Sequence, residues 1–147
     1  MKTNICRILL AEDNEHDIIS IKRAFKKNNI TNPLYVVRNG LECLDFLFRK
    51  NQYEDPETSP TPNLILLDIK MPKMDGITAL KEIRENKNTR RIPVIMLTTS
   101  KDQKDVAESY DLGVNAYIVK PVGLDNLSAA IGKINLFWQI VEKPPIV

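Results

Sequence analysis

Short runs of aliphatic residues stop abruptly on polar ones along this chain. Arg7-Ile8-Leu9-Leu10-Ala11 runs into Glu12-Asp13, and Leu64-Ile65-Leu66-Leu67 ends on Asp68. Val94-Ile95-Met96-Leu97 ends on Thr98, Ala116-Tyr117-Ile118-Val119 ends on Lys120-Pro121, and Leu34-Tyr35-Val36-Val37 makes a fifth run. Apolar runs of about four to eight residues bounded by turn signals predict strands buried on both faces, as in parallel sheets. Between them, apolar residues recur at helical spacing: Ile18, Ile21, Ala24 and Phe25, then Leu41, Leu44 and Phe48, then Ile77, Leu80 and Ile83. Val106, Ala107 and Tyr110 predict a fourth helix, and Leu127, Ala130, Ile131, Ile134, Phe137, Trp138 and Val141 a fifth. Asn14 and Asn39-Gly40 predict helix starts; Asn28-Asn29, Gly113 and Pro144-Pro145 predict stops. Strands alternating with helices from end to end predict an α/β sheet wrapped on both faces. Residues 51–63, with Pro56, Pro60 and Pro62, are long for a connection and predict an exposed loop.

Composition narrows this picture without redirecting it. The 147 residues suit a single domain, residues 1–147, with an extension of the last helix and tail over about 137–147. A net charge of +2 argues against a nucleic-acid partner, and Lys22-Arg23, Lys26-Lys27 and Arg90-Arg91 read as solvated faces. The single His16 reads as surface decoration. No apolar run approaches the roughly 18 residues of a membrane span. Met1-Lys2-Thr3-Asn4 leads straight toward a strand with no signal peptide, so the expected location is cytoplasmic. Cys6, in the first strand, and Cys43, in a helix, are expected to be reduced, buried small hydrophobes.

The candidate chemistry lies where the strands end. In an open parallel sheet ligands collect beyond the carboxyl ends of the strands. Three carboxylates (Glu12, Asp13 and Asp68), the Thr98 hydroxyl and the Lys120 ammonium should therefore converge. Like charges about 4 Å apart cost on the order of 1 to 4 kcal/mol at near-surface dielectrics, and a divalent cation removes that cost. All-oxygen ligation with room for water and phosphate oxygens favours Mg²⁺, and Mn²⁺ could substitute. Asp68 is then a candidate nucleophile for a phosphoryl group, whose oxygens the metal, Lys120 and Thr98 would neutralise. Singly, each residue also fits a plainer role: Asp or Thr as a helix cap or turn former, Lys before Pro as a solvated loop residue. Jointly they do not, because Thr98 follows Asp68 by 30 residues and Lys120 follows it by 52.

Residues in this order and at these separations resemble the receiver domain of two-component response regulators. The resemblance runs from Ile8 to about Leu136 and rests on Ala11-Glu12-Asp13-Asn14, Leu67-Asp68-Ile69-Lys70-Met71-Pro72-Lys73-Met74-Asp75-Gly76, Leu97-Thr98-Thr99 and Tyr117-Ile118-Val119-Lys120-Pro121. It implies a flavodoxin-like, doubly wound five-stranded parallel sheet in the order 2-1-3-4-5, with five helices. It implies that Asp68 accepts phosphate from the histidine of a sensor kinase, and that Glu12, Asp13, Asp68 and the backbone carbonyl of Lys70 hold Mg²⁺. A cis peptide before Pro121 is implied as well. So is a switch in which the Thr98 hydroxyl moves toward the phosphoryl group, Tyr117 rotates into the vacated space, and the face of helix 4, strand 5 and helix 5 changes for a downstream protein.

Lys70 and Ser100, two positions past Asp68 and Thr98, should flank the attacking water, and neither is a carboxylate or amide that would orient it. A phosphoryl group lasting minutes or longer is expected. The 51–63 loop and the C-terminal Phe137-Trp138-Gln139-Ile140-Val141-Glu142-Lys143-Pro144-Pro145 resemble the small single-domain regulators paired with bacterial phytochrome kinases, which implies a homodimer. On residues alone, Phe137, Trp138 and Val141 fit a core lid as well as an interface.

Rival readings fail on particular residues. An aspartyl phosphotransferase or phosphatase would need a second acid where Lys70 stands. A flavin or nucleotide module would need a Gly/Ser/Thr-rich loop where Glu12-Asp13 places two negative charges. A binding adaptor would not need the full pocket. A signalling protein, acting as an enzyme only on its own phosphoryl group and carrying no DNA-binding output domain, is the expectation.

Overall fold

The computed structural model describes residues 6–120 and Ala129. The strands fall where the aliphatic runs place them: β1 (Ile8–Ala11), β2 (Leu34–Val37), β3 (Leu64–Leu67), β4 (Val94–Thr98) and β5 (Ala116–Val119). All neighbours pair in parallel, in the order β2-β1-β3-β4-β5. Four α-helices lie among the described residues: α1 (Glu15–Lys27), α2 (Gly40–Phe48), α3 (Gly76–Glu85) and α4 (Gln103–Asp111). The expected fifth helix, the peptide bond to Pro121, and Phe137, Trp138 and Val141 lie outside the described residues.

Alternation along the strands sorts the core into two layers. Leu9, Ala11, Ile65, Leu67, Val94 and Met96 pack with α2 and α3 residues such as Cys43, Phe46, Leu80 and Ile83. Ile8, Leu10, Leu64, Leu66, Ile95 and Leu97 pack with Ile18, Ile21 and Phe25 of α1. Burial on both faces holds for β1, β3 and β4, whose residues are all buried. It fails at the edges, where three residues of β2 and three of β5 are only half-buried, because each edge strand has a neighbour on one side only. Burial of a large aliphatic side chain is worth about 1.5–3 kcal/mol, so the three central strands dominate the hydrophobic stabilisation.

The starts of α1 and α2 follow the predicted caps, and Asp75, not singled out as a cap from the sequence, caps α3 in the same way. Asn14 Oδ1 accepts the Asp17 N–H at 3.0 Å, Asn39 Oδ1 accepts that of Glu42 at 2.9 Å, and Asp75 Oδ1 that of Thr78 at 2.8 Å. Gly113 takes φ +80° just after α4, the left-handed conformation expected at that stop.

Three expectations change. Cys6 precedes β1 and is not part of it; both cysteines are nonetheless free and buried. Residues 51–63 are not wholly exposed: Asn51–Tyr53 forms a 3-10 turn, Tyr53 packs its ring 5.3 Å from Phe46, and Ser59 is buried. In α4 the residue that reaches the core is Ser109, whose hydroxyl donates to the Asp105 carbonyl, while Tyr110 is 51% exposed. No helix among the described residues is long and apolar enough to cross a membrane.

Candidate functional site

Register alone brings the polar termini together. Ala11 is level with Leu67, so Glu12 and Asp68 leave β1 and β3 side by side, and the Asp68 N–H donates to the Ala11 carbonyl at 3.1 Å. Thr98 is level with Val119, and the Lys120 N–H donates to the Thr98 carbonyl at 2.8 Å. Glu12, Asp68, Thr98 and Lys120 are all buried, whereas Asp13 faces solvent. Glu12, Asp13 and Asp68 each offer a carboxylate oxygen, with all three atoms within 4.8 Å of one another. Lys70 is exposed on the loop that leaves β3.

That loop is held close to Asp68 by two glycines. Gly76 donates to the Ile69 carbonyl at 2.7 Å, and a Cβ there would collide with the Asp68 carbonyl oxygen. Gly40 donates to the Met74 carbonyl at 3.0 Å, and a Cβ there would collide with that same oxygen. The Asp68 carboxylate is oriented by the Ile69 N–H, which donates to Oδ1 at 2.7 Å.

Lys120 is the centre of charge. Its Nζ donates to Glu12 Oε1 at 2.6 Å, to Asp17 Oδ2 at 2.7 Å and to Asp68 Oδ2 at 3.4 Å. Desolvation pulls the ammonium's pKa down, but hydrogen bonds to Asp17 and Glu12 and the charges of Asp68 and Glu12 raise it overall. Burial pushes the Glu12 carboxyl up to about 7, with Asp68 adding to the rise and Lys120 and the Asn14 N–H opposing it. Among the described residues no buried side-chain nitrogen or oxygen lacks a hydrogen-bond partner.

Asp17 was not among the residues singled out from the sequence. It sits in the first turn of α1, where an acidic residue reads as a partner for the helix dipole. The available signal was its spacing: four residues after Asp13, close behind the Asn14 cap.

Thr98 makes no direct side-chain bond to Lys120 or Asp68; its hydroxyl oxygen accepts the Ser100 N–H at 3.2 Å. The Tyr117 hydroxyl donates to the Ser100 carbonyl at 3.0 Å. The Ser100 hydroxyl donates to Asp105 Oδ2 at 2.7 Å and accepts the Asp102 N–H at 3.3 Å. One serine thus links β4, the half-buried Tyr117 of β5 and the start of α4.

A five-stranded 2-1-3-4-5 parallel sheet with an acidic cluster and a buried lysine at its carboxyl rim is the arrangement expected of a receiver domain. The sequence matches the response regulator receiver domain over residues 8–132, and the chain belongs to that family. It is 42% identical over 131 residues to the response regulator Rcp1 of Synechocystis, an alignment covering 89% of this chain and 87% of that protein. It also superimposes on the phosphorylated cyanobacterial phytochrome response regulator RcpA, with a TM-score of 0.78 and 37% identity, covering 92% of this chain and 95% of RcpA. The Mn²⁺-bound form of Rcp1 gives a TM-score of 0.75 and 41% identity, covering 90% of this chain and 94% of that one. The resemblance to small single-domain phytochrome regulators therefore holds, as does the role of a two-component signalling receiver.

Proposed function

We propose that this receiver accepts a phosphoryl group on Asp68 from the phosphohistidine of a sensor kinase of the phytochrome type. One observation carries the reading: Asp68 belongs with Glu12 and Asp13 to a carboxylate cluster able to hold a cation, and lies 3.4 Å from a buried ammonium able to hold an anion. The donor set of three carboxylate oxygens suits a hard divalent ion, Mg²⁺ or Mn²⁺, with Glu12, Asp13, Asp68 and the Lys70 carbonyl as its protein ligands. When bound, the ion supplies positive charge to the phosphoryl oxygens.

The chain's own groups do the rest. A carboxylate oxygen of Asp68 bonds to phosphorus as the phosphorus–nitrogen bond of the phosphohistidine breaks, its electron pair returning to the imidazole. Lys120 neutralises one phosphoryl oxygen and the Thr98 hydroxyl a second. Drawing Thr98 toward the phosphoryl group pulls on the Ser100 N–H, and the Ser100 carbonyl passes that movement to Tyr117. The Ser100 hydroxyl is already committed to Asp105 and Asp102, which supports a long-lived phosphoryl group.

Intact mass after incubation with acetyl phosphate tests the reading, with and without Mg²⁺, for the parent and Asp68→Ala. A Mg²⁺-dependent gain of one phosphoryl group that Asp68→Ala lacks is the expected result. No gain in the parent under any condition would leave a protein that binds partners unmodified. Tyr117→Ala should still take up phosphate while responding less to a partner; an unchanged partner response would end the switch.

A further inference from the structure

Three carboxylates share one ammonium, and the distances are unequal. Lys120 Nζ lies 2.6 Å from Glu12 and 2.7 Å from Asp17 but 3.4 Å from Asp68, the residue whose oxygens must be available for metal and phosphorus. An ammonium's three N–H donors can serve all three carboxylates, so the unequal distances record where the charge sits: drawn to Glu12 and Asp17 and held back from Asp68. Glu12 is itself a candidate metal ligand; Asp17 lies outside the carboxylate cluster that could hold the ion, on α1 and one-third exposed. Its carboxylate therefore acts on the site through Lys120.

We propose that Asp17 is a positioning residue: it holds the Lys120 ammonium toward α1, so that Lys120 does not close into a short ion pair with Asp68 while the protein is unphosphorylated. Without that pull, the ammonium moves onto Asp68, and a cation seeking the same oxygens must displace it. Once Asp68 carries a phosphoryl group, the same ammonium exchanges Asp17 for a phosphoryl oxygen, with no covalent change at Asp17. This inference rests on the receiver reading above, but it concerns metal-site geometry and can fail separately.

The neighbouring Glu15 supplies the control. It occupies the same first turn of α1 and carries the same charge, yet it pairs with Arg38 at 2.6 Å and does not touch Lys120. The experiment titrates Mg²⁺ and Mn²⁺ into unphosphorylated parent, Asp17→Asn, Asp17→Glu and Glu15→Gln by calorimetry. In parallel, the Lys120 ammonium resonance is followed by ¹⁵N NMR, assigned with Lys120→Arg. Asp17→Asn is expected to weaken cation binding by about tenfold, the low end for residues that orient a metal's surroundings. Asp17→Glu should recover most of the loss, Glu15→Gln should stay near the parent, and the ammonium resonance should shift in Asp17→Asn only. Equal weakening in Glu15→Gln and Asp17→Asn would reduce Asp17 to a remote charge, and an unmoved ammonium resonance would overturn the proposal. If the parent binds neither cation, the receiver chemistry fails first, a result distinct from parent binding that Asp17→Asn leaves unchanged.

Discussion

Single atoms decide much at this site. Gly76 is the clearest case, because an added methyl group would meet the backbone oxygen of Asp68, which cannot rotate aside as a flexible side chain would. Gly76→Ala should cost at least about 1–3 kcal/mol in unfolding free energy, the usual range for overpacking, and displace Asp68 enough to reduce its phosphorylation. Urea denaturation and intact mass read the two effects separately. Cys43 illustrates a buried group with no part in the chemistry. Complete burial pushes its thiol up from 9.0 to about 12. A folded pKa above the unfolded one means the protonated thiol's contribution to stability is complete below about pH 9 and is lost as pH rises toward 12. A thiol reagent at pH 8 should therefore modify Cys43 only as fast as the protein opens, and promptly in denaturant. Glu12, Asp13, Asp68, Thr98 and Lys120 are legible in the sequence because each ends or follows an apolar run. Asp17 is not, because a polar residue in a helix's first turn gives no periodic signal; only the fold shows that Lys120, 103 positions away, lies against it.

At the scale of elements, strands were the most legible because continuous apolar runs have sharp ends, and β2, β3 and β5 match their runs residue for residue. α4 was placed correctly but its face was misjudged, since Val106, Ala107 and Tyr110 have the spacing of a core stripe while Ser109 turns inward. Arg84 was not legible at all. From the last turn of α3 its guanidinium donates to four backbone carbonyls, those of Leu112, Arg90, Ile92 and Gly113, at 2.8 to 3.1 Å. A single arginine in a helical pattern carries no mark of four acceptors contributed by two different loops. Arg84→Ala should cost about 1–3 kcal/mol, because those carbonyls lose charge-assisted bonds and regain water only in part. Thermal unfolding compared with Arg90→Ala, whose backbone oxygen would remain in place, isolates the side chain's effect.

For the molecule as a whole, the proposed cation site makes the carboxylate rim a place where folding and cation binding would reinforce each other. Glu12, Asp13 and Asp68 repel one another in the native state and are farther apart in the unfolded chain, so a cation that binds only the native state stabilises it. With Mg²⁺ at a hundred times its Kd, unfolding should require about 2.7 kcal/mol more than in EDTA, and Asp13→Asn should lose most of that increment. Thermal melts across a Mg²⁺ series would show it as a concentration-dependent midpoint.

The two ends of α4 are held by different means. Its trailing end is fastened by the Arg84 guanidinium through the carbonyls of Leu112 and Gly113, far from any phosphoryl chemistry. Its leading end hangs on the Ser100–Asp105 bond, in direct line with Thr98 and Tyr117. In the proposed switch such a helix would act as a lever with its fulcrum at the arginine: a displacement of a few tenths of an ångström near Thr98 would swing the first turn of α4 most and the last turn least. On the switch proposed above, what this face would offer a partner protein is an angle.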